Sequence, residues 1–269
     1  MIDCHIHTNY SPDGHVSPEA VIKYAIKLGL KHIAIADHMD IDGAVIGNTP
    51  PQLPDNIAGY LATIKKLKHK YADKIYVAAG IEAGWSKDGE TTVTAVLKKH
   101  SPDYIINSVH AVDGIDCYFA PYYENQAKLG NDRNAVYNRF YETIIESMDC
   151  SYHYHTVAHL DYIVRTAPYH DKIFKYKEFA PVLDRLLKKI IDYDKILEYN
   201  SSSYVACLVM PQIFERYYSF GGRKICFSSD AHTLERIGEK YIETAKIILD
   251  IGYDHWTIIQ NEKTVKLPL

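Results

Sequence analysis

Short β-like runs alternate with helical stretches along this chain from end to end, and few folds accept that order. The runs are IDCHIHT (residues 2–8), KHIAIADH (31–38), KIYVAAGIEAG (74–84), DYIINSVH (103–110), HTVAHLD (155–161), KILEYNS (195–201) and KICFSSDAH (224–232). Helical patterns occupy 18–29, 56–71, 94–100, 134–148, 178–193, 210–222 and 239–252. Ser17 followed by Pro18 and Glu19 opens the first helix and Gly29 closes it, while Gly221 and Gly222 end a later one. At 269 residues the length permits one large α/β domain or two small ones. No composition break or linker interrupts the alternation, so a single parallel-stranded domain over 1–269 is expected, a barrel rather than an open sheet. The seven runs are one short of the usual eight; either a strand is missed or the barrel is incomplete.

The polar residues fall where such a fold builds its sites. His5 and His7 stand two apart on a strand, so they project to one side. That suits two ligands on one cation, and equally two polar residues on the wet face of an edge strand. The other runs break the tie. Asp37 and His38, Glu82, His110, His159, and Asp230 with His232 all lie at or near the carboxyl ends of their strands, the ends that converge on one mouth in parallel α/β folds. Taken singly, each is compatible with a satisfied core residue. Gathered together they are too costly to bury without a cation. His15, in the loop SPDGHVSPEA, is a further candidate. So many donors exceed the four or so that one zinc takes, and suit two or three ions sharing a carboxylate. His32, His69, His100, His170 and His255 receive no role, and His153 with His155 precede their strand, at the opposite end of the barrel.

Composition excludes little but helps. A net charge of −4 disfavours a non-specific nucleic-acid binder, which needs a basic face. No apolar run is long enough to span a bilayer, and the first residues lack the order of a signal peptide. The five cysteines, Cys4, Cys117, Cys150, Cys207 and Cys226, are scattered and odd in number, as for reduced thiols. A cytoplasmic, membrane-independent protein is expected. Between Ala111 and Arg133 the chain is long and tyrosine-rich, the mark of a lid or binding loop or of a surface insertion.

The motifs HIHT, SPDGH, ADH, GIEAGW, SVH, AHLD and SDAH, in this order, resemble the polymerase-and-histidinol-phosphatase (PHP) family from residue 2 to about 233. SPDGHVSPEA, NSVHAVDGIDCY and VAHLDYIVR are similar to its stand-alone members that hydrolyse L-histidinol phosphate. The resemblance implies a distorted, TIM-like (β/α)7 barrel and three divalent metal ions, with zinc, iron and manganese all compatible with the ligands. It assigns His5, His7, Glu82 and Asp230 to the first ion, and His15, His38 and His232 to the second. Glu82 would bridge to the third, completed by His110 and His159. AHLD departs slightly, since many relatives carry glycine or proline beside that histidine.

The implied reaction is hydrolysis of a small phosphate monoester, L-histidinol phosphate, by a metal-bound hydroxide, as in histidine biosynthesis. Nucleotides, oligonucleotide ends or phosphotyrosine are the alternative substrates within the same chemistry, and a non-catalytic metal-binding site is the alternative outside it. No cysteine has the arginine six residues on that a cysteine phosphatase requires, and DIDGAV (40–45) only superficially resembles another phosphatase nucleophile loop. Arg165 is placed to pair with phosphate oxygens, or to make a surface ion pair. Asp161 is the candidate acid for the substrate's ammonium group. Tyr118, Tyr122 and Tyr123 are compatible with stacking on the imidazole or with packing on the barrel rim. Oligomeric state is not legible.

Overall fold

The computed structural model describes residues 1–41 and 56–269, with the backbone alone at 205 and 206. Its main sheet is built from β1 (Ile2–Ile6), β2 (His32–Asp40), β3 (Tyr76–Gly84), β4 (Tyr104–Ser108), β7 (Thr156–Val157), β8 (Ile196–Asn200) and β9 (Ile225–Ser228). They pair in that order, all parallel. β1 and β9 meet at the carboxyl end, where His7 N–H donates to Ala231 O and Asp230 N–H to His5 O, both at 2.9 Å. The sheet is therefore a nearly closed, distorted TIM-like barrel of seven strands, and the described residues add no eighth strand to it.

Between the strands run α1 (Pro18–Lys27), α2 (Ile57–Lys70), α3 (Glu90–His100), α5 (Arg133–Ser147), α7 (Ala180–Asp192), α8 (Tyr204–Ser219) and α9 (Tyr241–Ile251). The sequence explains their placement. Ser17 Oγ accepts from Ala20 N–H and Pro18 sits in the first turn of α1; Gly29, at φ +79°, supplies the left-handed turn that ends it. In α7 the apolar Val182, Leu183, Leu186, Leu187 and Ile190 recur at helical spacing and are all buried, so the helix lies against the barrel by one face. The strands bury nearly every residue, as parallel strands covered by helices must.

Three elements depart from the sequence reading. The segment after His110 is not a bare loop: it holds the hairpin β5 (Ala111–Val112) and β6 (Ile115–Asp116), then α4 (Ala120–Lys128). Helix α8 starts at Tyr204 and carries Pro211 inside it, earlier than the proline suggested. A hairpin of β10 (His255–Gln260) and β11 (Lys263–Pro268) follows α9. Its turn touches the start of β3, where Asn261 N–H donates to Tyr76 Oη, so it covers the amino-terminal side of the barrel. Among the described residues no helix is long and apolar enough to cross a membrane, and the five cysteines are all free.

Candidate metal centre

Glu82 is the hub of the barrel mouth. The unbroken register of β2 on β3 sets His38 beside it, and β1, β4 and the ends of β7 and β9 aim the rest. Five imidazoles reach its fully buried carboxylate: His5 Nε2 at 3.4 Å, His7 Nε2 at 3.6 Å, His38 Nδ1 at 2.6 Å, His110 Nε2 at 3.1 Å and His159 Nε2 at 2.7 Å. Asp230 Oδ1 lies 3.2 Å from His7 Nε2 and 3.9 Å from His5 Nε2. His232 stacks on His7 with ring centroids 4.1 Å apart. Burial alone would raise the Glu82 pKa, but His5, His110 and His38 hold it well below the carboxylate range. Burial, aided by His38 and His232, pushes His7 well down and favours its neutral form.

Two of these positions are strained. His159 and Asp230 adopt φ of +62° and +53°, the left-handed region that non-glycine residues seldom enter. Each costs on the order of 1–3 kcal/mol. The His159 backbone turn is held by its N–H donating to Glu198 Oε2 at 3.1 Å, and that of Asp230 by the barrel-closing bond to His5 O.

Several groups escaped the sequence reading. Glu198 Oε1 lies 2.8 Å from His5 Nδ1, the geometry in which a carboxylate orients an imidazole for ligation through its other nitrogen. Asn200 donates from Nδ2 to Glu198 Oε2 at 3.2 Å and to Asp230 Oδ2 at 3.3 Å. Asp40 Oδ1 lies 2.7 Å from His110 Nδ1, and Ser108 Oγ donates to Glu82 Oε1 at 2.8 Å. A signal for the first pair existed: Glu198 and Asn200 stand two apart in ILEYN, on the inward face of β8.

Three further residues stand outside the groups of converging donors among the described residues. His15 is exposed and stands outside every group of converging donors among the described residues. The loop turns through Ser11 N–H to Thr8 O and Gly14 N–H to Ser11 O, and it is Asp13 that reaches the mouth, with Oδ2 3.0 Å from His232 Nε2 and 3.7 Å from His38 Nε2. Asp161 is fully buried, and its two oxygens accept from Arg165 Nε at 2.6 Å and Nη2 at 3.3 Å, so it holds the arginine. Asp37 turns away from the cluster and accepts from Thr8 N–H, Thr8 Oγ1 and Ser11 Oγ, fixing the first loop.

Arg165 ends the short helix α6 (Tyr162–Arg165) inside the mouth, not in a surface ion pair. Its Nη1 donates to Asp230 Oδ2 at 2.9 Å, and Nη2 lies 3.1 Å from His159 Nδ1. Tyr122 and Tyr123 are buried, whereas Tyr118 is 43% exposed. His153 and His155 line a separate cavity of about 660 Å³ at the other end of the barrel. There Ile105 N–H donates to His155 Nδ1, which leaves the proton on Nε2 and makes that nitrogen unfit to ligate. Of DIDGAV, residues 42–45 lie outside the described residues; Asp40 belongs to β2.

The cluster has the character of a cation site. His5 Nε2, His7 Nε2, His38 Nδ1, His232 Nε2, Asp40 Oδ2, Glu82 Oε2 and Asp230 Oδ1 are buried yet make no hydrogen bond, although they crowd within ion-pair reach of one another. Their lone pairs meet in shared space instead of finding donors, an arrangement that is expensive unless a cation lies between them. Triads such as His5–His7–Asp230, His7–His38–His232 and His5–Glu82–His159 each keep their donor atoms within 4.8 Å of one another. The donors are mixed nitrogen and oxygen, which suits zinc, iron or manganese.

Fold and site together define a class: a parallel seven-stranded barrel with a histidine–carboxylate cluster at its carboxyl mouth. The chain belongs to the PHP domain family, whose model matches residues 3–202. It is similar over 250 residues, at 27% identity and 92% of each chain, to a Clostridium acetobutylicum protein described as "Probable histidinol-phosphatase". A Lactococcus lactis protein described as "Histidinol-phosphatase" is 24% identical, with 98% of both chains covered. The crystal structure of histidinol phosphate phosphatase from Lactococcus lactis, complexed with zinc, L-histidinol and phosphate, superposes with a TM-score of 0.87 over 98% of each chain at 23% identity. The fold is therefore shared over nearly the whole length, whereas the family model ends before Asp230 and His232.

Proposed function

We propose that this protein is a metal-dependent phosphomonoesterase that hydrolyses L-histidinol phosphate to L-histidinol and phosphate. The carrying observation is the set of buried, unpartnered donor atoms around Glu82 at the barrel mouth. The substrate comes from its relatives, described as histidinol-phosphatases, and from the zinc, histidinol and phosphate bound to the Lactococcus lactis protein of the same fold. His5, His7, Glu82 and Asp230 would hold one divalent ion, and His38 and His232, with Asp13 in place of His15, a second. His110 and His159, with Glu82, would hold a third.

Such ions, when bound, polarise phosphoryl oxygens and lower the pKa of water to about 7. The chain's own residues do the rest. Arg165, fixed by Asp161, presents its guanidinium to phosphoryl oxygens at the mouth. Glu198 and Asp40 keep His5 and His110 in orientation through their Nδ1 atoms.

The test is phosphate release from L-histidinol phosphate beside nucleotides, sugar phosphates, oligonucleotide ends and phosphotyrosine, with the protein's metal content counted. A clear preference in kcat/KM for L-histidinol phosphate is expected. A preference for another ester would keep the hydrolase and overturn the substrate.

A further inference from the structure

Arg165 and His159 hold each other in a way that bears on the proposed third ion. The Arg165 side chain is 10% exposed, and its guanidinium carries five N–H donors and no acceptor. Four of the five are engaged: Nε with Asp161 Oδ2 at 2.6 Å, Nη2 with Asp161 Oδ1 at 3.3 Å and His159 Nδ1 at 3.1 Å, and Nη1 with Asp230 Oδ2 at 2.9 Å. Because an arginine can only donate, His159 Nδ1 is an acceptor, and the single proton of the neutral ring sits on Nε2. From there it donates to Glu82 Oε1 at 2.7 Å. Asn200 agrees with this assignment. Its Oδ1 accepts from Ser202 N–H at 2.9 Å, which leaves Nδ2, a donor, on the His159 side at 3.5 Å.

That hydrogen bond and ligation exclude each other. A histidine that ligates through Nε2 carries its proton on Nδ1 and gives it to an acceptor. Near His159 Nδ1 the acceptor is Glu198 Oε2 at 3.9 Å, on the carboxylate whose Oε1 already meets His5 Nδ1. Arg165 opposes this, since its N–H and an Nδ1–H would meet donor to donor across 3.1 Å. The proposed function gives Arg165 another partner. Forked pairing with two phosphoryl oxygens takes two N–H groups, and the guanidinium has one free. Of the acceptors it holds, Asp161 and Asp230 are carboxylates and His159 is an uncharged ring. The bond to His159 is the weakest and is the one given up.

We propose that Arg165 gates the third ion: it holds His159 Nδ1 until a phosphoryl group draws it away, and His159 then offers its Nε2 lone pair to an ion beside Glu82 and His110. This deepens the phosphatase reading and rests on it. One proton leaves Nε2 and one is taken up at Nδ1 through water, so the ring stays neutral and its N–H turns to Glu198. Phosphate and the third ion therefore bind with positive coupling, and each raises the affinity for the other by the same factor. The first two ions do not depend on His159 and need no such release.

The test counts zinc bound to the protein over a series of chelator-buffered free zinc concentrations, with and without inorganic phosphate. With phosphate present, the unsubstituted protein is expected to fill its third site at roughly five- to hundredfold lower free zinc. In Arg165→Met the third site should fill that readily without phosphate, and phosphate should shift it far less. Weaker zinc binding in Arg165→Met, or an undiminished phosphate effect, overturns the gate. The ring proton gives a second readout that needs no substitution. Nitrogen-15 spectra of the protein, held at a free zinc that fills two sites, should place the His159 proton on Nε2 without phosphate and on Nδ1 with it. The same nitrogen protonated in both conditions overturns the proposal. Release of phosphate from no ester by the unsubstituted, metal-counted protein overturns the phosphatase reading instead.

Discussion

At the scale of single residues, the site is organised by acids whose partners are histidines. Glu82 is reached by five imidazoles, and Glu198 sits behind two of them, against His5 Nδ1 and the His159 backbone N–H. Removing the Glu198 charge while keeping its shape isolates its orienting role. Glu198→Gln should weaken metal affinity about 10–100-fold, as loss of such outer partners does, with little change in the folded structure. Competition against a chelator of known affinity measures it; unaltered affinity would reduce Glu198 to packing. Glu82, Asp230 and the histidines on or just beyond the strands were legible because alternation and strand ends predict direction. Asp13 was not, since a loop has no period from which to read which of Asp13 and His15 faces inward.

At the scale of elements, β2 and β3 show how neighbouring strands share one task. The register that sets His38 beside Glu82 also sets Asp40 opposite Gly84. A Cβ at position 84 would lie 1.7 Å from Asp40 Oδ1, the atom that meets His110 Nδ1. Glycine is therefore needed there for space, not for backbone freedom. Gly84→Ala should force the Asp40 carboxylate off His110 and reduce phosphate release at least about tenfold. Measuring rate and metal content at equal folded fraction checks this, and a normal rate would show that Asp40 has no part in orienting His110. The strands themselves were legible from their apolar runs, and α1 from its cap. The β10–β11 hairpin was not: β10 (HWTIIQ) is buried, but its partner KTVKLP is largely exposed and lacks the apolar run that marks a buried strand, and the antiparallel pair lies outside the alternation of parallel strands and helices. Nor was the early start of α8, because Pro211 suggests a first turn but here lies within the helix.

At the scale of the whole molecule, the barrel closes where its chemistry is. β1 and β9 are joined by bonds at His5, His7, Asp230 and Ala231, so residues proposed as ligands also complete the ring of strands. The amino-terminal side is covered by the C-terminal hairpin, and the strained turns at His159 and Asp230 are gathered at the carboxyl side. A fold arranged this way concentrates unpaired donors in one place and leaves their stabilisation to bound cations. The most direct measurement follows phosphate release from L-histidinol phosphate and metal content together, as a chelator strips the protein and divalent ions are then returned. Activity should fall with the metals and recover with them. Full turnover by metal-free protein, or none by fully loaded protein, would contradict the account.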